Sequence, residues 1–164
     1  MKKVHEELRY DGATLSQVHD MLADPAFREQ VCDHQRVLRR TVQVQAAGEG
    51  MTVVVDQVQS ARGIPSFAKK FVGDEINIVQ SEDWTSAEKG NLHITIPGKP
   101  GEMTGTSLLT KDPDGTTQTV NLGVRVNIPL VGGKIEGLIA DLLVKALRAE
   151  HHVGVDYLSS TPSP

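Results

Sequence analysis

Two residues near the middle of the chain have the types and spacing to act on a ligand. Glu82 and Trp84 stand two apart in "INIVQSEDWT", in phase with Ile76, Ile78 and Gln80 if the segment is an unbulged strand. If that face lines a hollow, Trp84 offers a flat wall to a ring or chain. Glu82 then anchors a polar end, as pockets with a few convergent polar groups require. A plainer reading stands beside this one, with Trp84 filling the core and Glu82 at a solvated rim, because charged side chains are seldom buried unpaired. Glu82 is also the one group placed for proton transfer, should the protein be an enzyme.

The remaining reactive side chains point to weaker chemistry. His151 and His152 are adjacent, so on a helix they diverge by about 100° and do not share an ion. They read as a solvated helix end, and no metal is expected. His93 alternates with Leu92 and Ile94 and falls on the outer face of its strand. Cys32 and His34 are neighbours in sequence, which is weak grounds for a nucleophile, and Cys32 reads as a small apolar group. Arg36, Arg39 and Arg40 form a short basic strip divided between two faces. Gly132 and Gly133 precede a helix but lack the Walker spacing and any GxGxxG run, so they read as a tight turn into it.

The elements that must position these groups follow from periodicity. "VHEELRY" alternates as an opening strand. Thr14, with Gln17 three residues on, has the form of a capping box for one short helix; Asp24 and Pro25 start a second. "QRVLRRTVQVQA" and "MTVVVDQVQS" make an antiparallel pair, and "GIPSFAKKFVG" breaks the strand series with a helical turn or two. Four more strands follow, the last being "TTQTVNLGVRVNIPL". A long helix closes the chain, with Ile135, Leu138, Ile139, Leu142, Leu143, Ala146 and Leu147 recurring at three and four.

A helix with so wide an apolar face must lie on something, and only the strands upstream can receive it. The expected fold is α+β: a curved antiparallel sheet of about seven strands around a long C-terminal helix, with two short helices after the first strand. A twisted sheet of that width is not filled everywhere by one helix, so a hollow is expected between them.

Length and charge bound the rest. The chain has 164 residues and a formal net charge of -4, which fits one domain and argues against binding along a nucleic-acid backbone. It has no apolar run long enough to span a membrane, and "MKKVHEELRYDG" lacks the apolar core of a signal peptide. The single cysteine rules out an internal disulfide. A cytoplasmic location is expected.

Two stretches, "IPSFAKKFVGDEINIVQSEDW" and "IPLVGGKIEGLIADLL", resemble the START-related, Bet v 1-like superfamily, also called the polyketide cyclase and lipid-transport (SRPBCC) superfamily. Within it the chain is most similar to an uncharacterised bacterial family, a domain of unknown function. The resemblance implies a helix-grip fold over residues 1–158, with 159–164 as a flexible tail, and it implies a pocket without naming a reaction. The first expectation is a binder of a hydrophobic or amphipathic small molecule, lipid-like or of isoprenoid or polyketide type, with no cofactor. Ligand contacts are expected from Ile139, Leu142, Leu143 and Ala146 on the helix and from Leu122, Val124 and Ile94 on the sheet. Trp84 and Glu82 stand at the polar end. The alternatives are an enzyme of cyclase or dehydratase type, or a protein-interaction module with an incidental cavity; oligomeric state is open.

Overall fold

A computed structural model describes residues 1–160. It contains a seven-stranded antiparallel sheet in the order β1-β7-β6-β5-β4-β3-β2. The strands are β1 (Lys2–Asp11), β2 (Arg39–Ala47), β3 (Gly50–Ser60), β4 (Glu75–Trp84), β5 (Lys89–Thr95), β6 (Glu102–Asp112) and β7 (Gly115–Arg125). Helices α1 (Leu15–Leu22) and α2 (Pro25–His34) carry the chain from one edge strand, β1, to the other, β2. Helix α3 (Ser66–Val72) joins β3 to β4, and α4 (Gly132–Ser160) ends the described chain. This is the helix-grip arrangement, and no described helix is long and apolar enough to cross a membrane.

Local chemistry explains the helix starts. Thr14 accepts from the Gln17 amide at 3.1 Å while the Gln17 side chain accepts from the Thr14 amide at 2.8 Å, completing the capping box of α1. Asp24 Oδ1 accepts from the Ala26 amide at 2.9 Å with Pro25 in the first turn of α2, so the chain restarts a helix at once.

The last strand is shorter than its alternation suggests. Its pairing with β1 stops at Val124, its pairing with β6 stops at Arg125, and the Val126 amide donates instead to Glu136 Oε2 at 2.9 Å. With both neighbours used up, Val126–Leu130 becomes a connection, and Leu130 takes a positive φ of 71° in solvent. The glycine at the start of α4 serves a close approach: a Cβ on Gly132 would stand 2.5 Å from the Val126 carbonyl oxygen.

Helix α4 packs on β1 and β7 and against α1 and α2. It is 29 residues long, so His151 and His152 lie within it and not at a solvated end. The continuation is held by Val153, Tyr157 and Leu158, which pack on the core formed by α1 and α2 with Trp84, Met51 and Val53. Ser159 and Ser160 belong to the helix, whereas residues 161–164 of the expected tail lie outside the described residues.

Candidate functional site

The face of the sheet beneath α4 carries two apolar clusters with a polar band between them. One cluster gathers Leu8, Val18, Met21, Leu22, Phe27 and Trp84 near α1 and α2. The other gathers Val4, Leu92, Ile94, Met103, Leu122 and Val124, with Ile78, Ile96, Ile139, Leu143 and Val144 half-buried at its margin. Leu147 touches both.

Strand parity places Glu82 and Trp84 on this inner face, as their spacing implies. Glu82 is buried at 5% exposure and faces Arg28 of α2, also 5% exposed. The Arg28 guanidinium donates from Nη1 to Glu82 Oε2 at 2.7 Å and from Nη2 to Oε1 at 2.9 Å, while its Nε donates to the Leu22 carbonyl at 2.8 Å. Trp84 Nε1 donates to Glu82 Oε1 at 2.8 Å and Gln80 Nε2 to Oε2 at 2.5 Å. Four donors therefore meet one carboxylate. Burial alone would raise its pKa, but the Arg28 charge and the bonds from Arg28, Trp84 and Gln80 together hold it below the ordinary value. A carboxylate so held is a poor proton carrier, and a rim position for Glu82 is excluded by its burial.

Trp84 is fixed as firmly. Gly90 stands opposite it in the β4–β5 register, and a Cβ there would come within 2.5 Å of the indole. The ring lies against the edge of His19 at 5.9 Å between centroids.

The band continues across the sheet through residues that no sequence motif marks. Gln118 of β7 donates from Nε2 to Ser107 Oγ of β6 at 3.0 Å. Glu150 of α4 has Arg28, Glu82 and Gln118 as its electrostatic neighbours. Tyr10 of β1 lies within reach of Glu150 and Arg28, and burial pushes its phenol pKa up. Burial likewise pushes the Glu150 carboxyl up to about 7, with Arg28 and Gln118 opposing the shift and Glu82 adding to it. Among the described residues Tyr10 Oη, His19 Nδ1, Gln118 Oε1 and Glu150 Oε1 are buried without a hydrogen-bond partner.

Signals for these residues were present. Arg28 and Cys32 are both buried and lie one turn apart on α2, and a buried Glu82 demands a cation nearby. Glu150 continues the apolar stripe Leu143–Leu147 and precedes buried Gly154, so it is an acid on the buried side of α4.

The expected aliphatic contacts are distributed unevenly. Leu122, Val124 and Ile94 are core members of the second cluster, and Ile139 and Leu143 pack on it from α4. Ala146 is half-buried. Leu142 is 41% exposed and belongs to neither cluster, since α4 lies over β1 and β7 and turns that residue outward. The surface groups are paired locally: Arg39 with Glu75, Arg40 with Asp33 and Glu29, and His93 with Glu102, so the basic strip is largely neutralised. His151 Nε2 donates to the Arg9 carbonyl, 2.6 Å away, and its ring leans on Tyr10. Two surface clefts, of about 490 Å³ around Lys99 and Arg125 and about 310 Å³ between Thr14 and Asp112, contain none of the inner-face residues.

Comparison with known proteins agrees with this architecture. A family model described as a protein of unknown function, DUF2505, matches residues 6–158. An uncharacterized protein of Mycobacterium tuberculosis (strain H37Rv) and one of Mycobacterium bovis are each 26% identical over 112 residues, 63% of this chain. The match spans 64% of the length of those relatives. Among solved structures, TTHA0849 from Thermus thermophilus superposes with a TM-score of 0.69 at 15% identity, covering 99% of this chain and 100% of that one. A START superfamily protein from Mycobacterium smegmatis gives 0.64 at 12%, covering 95% and 98%. The di-domain ARO/CYC StfQ of the steffimycin biosynthetic pathway gives 0.68 at 11%, covering 96% of this chain and 50% of that protein.

Proposed function

The chain belongs to the DUF2505 family, and from that membership and its START-like, Bet v 1-like fold we propose that it binds one amphipathic small molecule between α4 and the sheet. The observation that carries this reading is the polar band set between two apolar clusters under a single helix. An amphipathic molecule has that same pattern. Its chain would lie along Leu92, Ile94, Leu122 and Val124, and its polar end would reach the band at Gln118 and Glu150. The half-buried Ile78, Ile96, Ile139 and Leu143 form the margin where such a chain would lie. Transfer of apolar surface from water, at about 25 cal/mol per Å², would supply most of the affinity, and the band would set the orientation. The START superfamily and ARO/CYC proteins of similar fold support a ligand-centred role.

Phenylnaphthylamine, which fluoresces when it leaves water, tests the reading. The protein is expected to bind it saturably with one-to-one stoichiometry. A Leu122→Trp variant that keeps its circular-dichroism spectrum is expected to lose that binding. Absence of saturable binding by the unaltered protein would overturn the reading.

One observation favours a second, catalytic reading. If the protein turns a substrate over, its proton-transfer group is Glu150 and not Glu82, since burial raises the Glu150 pKa to about 7 while Arg28 and its other donors hold Glu82 low. Glu150→Gln would then abolish turnover while leaving binding of the same substrate intact.

A further inference from the structure

The polar band has an asymmetry that bears on what it can hold. Its cation, Arg28, is already matched by Glu82 in a two-point contact, and the four contacts to Glu82 occupy both carboxylate oxygens. Apart from His19 Nδ1, beside Trp84, its remaining capacity lies at the other end. The Gln118 amide, oriented by its donation to Ser107, turns Oε1 away unpartnered, and Glu150 Oε1 is likewise buried and unpartnered. Gln118 is 4% exposed and Tyr10, whose hydroxyl is also without a partner and interacts electrostatically with Glu150, is 1% exposed. The Gln118 and Glu150 oxygens and the Tyr10 hydroxyl remain there, and a buried polar atom left without a partner costs about 1–3 kcal/mol.

A ligand carboxylate or phosphate would bring only further acceptors to Gln118 Oε1 and a buried negative charge beside Glu82, whose arginine is already taken. An ammonium would bring donors, but it would also bury a charge whose counter-ion would have to be the Glu150 carboxylate. Burial opposes ionisation of that group. A hydroxyl brings a donor for Gln118 or Glu150 and an acceptor for Tyr10, with no charge to desolvate.

We propose that the polar end of the ligand is an uncharged hydroxyl received by Gln118, Glu150 and Tyr10, so that the protein selects neutral alcohol amphiphiles over carboxylate, phosphate and amine ones. This rests on the binding reading above and specifies its ligand class.

Four probes with the same apolar chain separate the two claims: n-decanol, its methyl ether, decanoic acid and n-decylamine, each titrated into the purified protein at neutral pH. Calorimetry, or quenching of Trp84, the only tryptophan, supplies the readout. n-Decanol is expected to bind roughly tenfold more tightly than each of the others, the methyl ether included because it cannot donate. In Gln118→Met the preference of alcohol over ether is expected to shrink, and Tyr10→Phe provides a second variant with smaller change in shape. Decanoic acid or n-decylamine binding most tightly, or ether binding as well as alcohol, would overturn the hydroxyl assignment and leave the binding reading standing. Failure of all four probes to bind would overturn both.

Discussion

The Arg28 guanidinium on α2 holds both carboxylate oxygens of Glu82 on β4, at 2.7 and 2.9 Å, across 54 residues of sequence and with both side chains 5% exposed. This contact ties the helical pair after the first strand to the middle of the sheet. It also explains how a strand whose inner face is mostly apolar carries an acid: the cost of removing the charge from water is met by a cation with matching geometry and two further donors.

Breaking that pair from one side leaves a buried charge without its partner. Arg28→Met is expected to destabilise the fold by about 3–5 kcal/mol, read from urea unfolding followed by Trp84 fluorescence. The double variant Arg28→Met with Glu82→Gln is expected to recover a large part of the loss. Similar losses in the single and double variants would show that the charge is not what the contact compensates.

Gly90 leaves room for the Trp84 ring, since a Cβ there would stand 2.5 Å from it. Gly90→Ala must move the indole or the backbone of β5, at about 1–3 kcal/mol. It should also shift Trp84 emission to longer wavelength as the ring, only 2% exposed in the native fold, gains contact with water. An unchanged spectrum at unchanged stability would mean the strand yields freely.

The raised pKa of Glu150 gives stability a defined pH dependence. From the ordinary carboxyl value of 4.5 up to about 7 the folded protein retains a proton at Glu150 that the unfolded chain has released. Folding is therefore favoured most strongly below that window, and this contribution is lost as pH rises through it. The groups that set the value are Arg28, Glu82 and Gln118 around Glu150, with Tyr10 also in reach. The comparison that isolates this group is between the protein and Glu150→Gln, whose stability is expected to fall less across the window. Parallel curves would place Glu150 at an ordinary value.

Asp24 joins two elements through one carboxylate: Oδ1 caps α2 at the Ala26 amide, and Oδ2 accepts from the Tyr157 hydroxyl of α4 at 2.7 Å. Asp24→Ala is expected to cost more than the loss of a cap alone, which is about 1 kcal/mol. Tyr157→Phe should reproduce only the remainder. A thermodynamic cycle of the two variants checks the coupling.

Periodicity and capping chemistry were enough to determine the order of elements, the capping box at Thr14 and Gln17, the restart at Asp24, the parity that puts Glu82 beside Trp84, and a closing helix on an antiparallel sheet. These are local properties, set by neighbours within a few residues. The end of β7 at Arg125 was not legible, because a strand stops where its partners stop, and those partners are β1 and β6. Nor was the extent of α4 past His152, which depends on Tyr157 and Leu158 meeting the core under α1 and α2. The polar band is the clearest case: Tyr10, Arg28, Glu82, Gln118 and Glu150 come from five separate elements. Only tertiary packing decided that one acid would be neutralised by an arginine and the other left to hold its proton, because desolvation and counter-charge act through space and not along the chain.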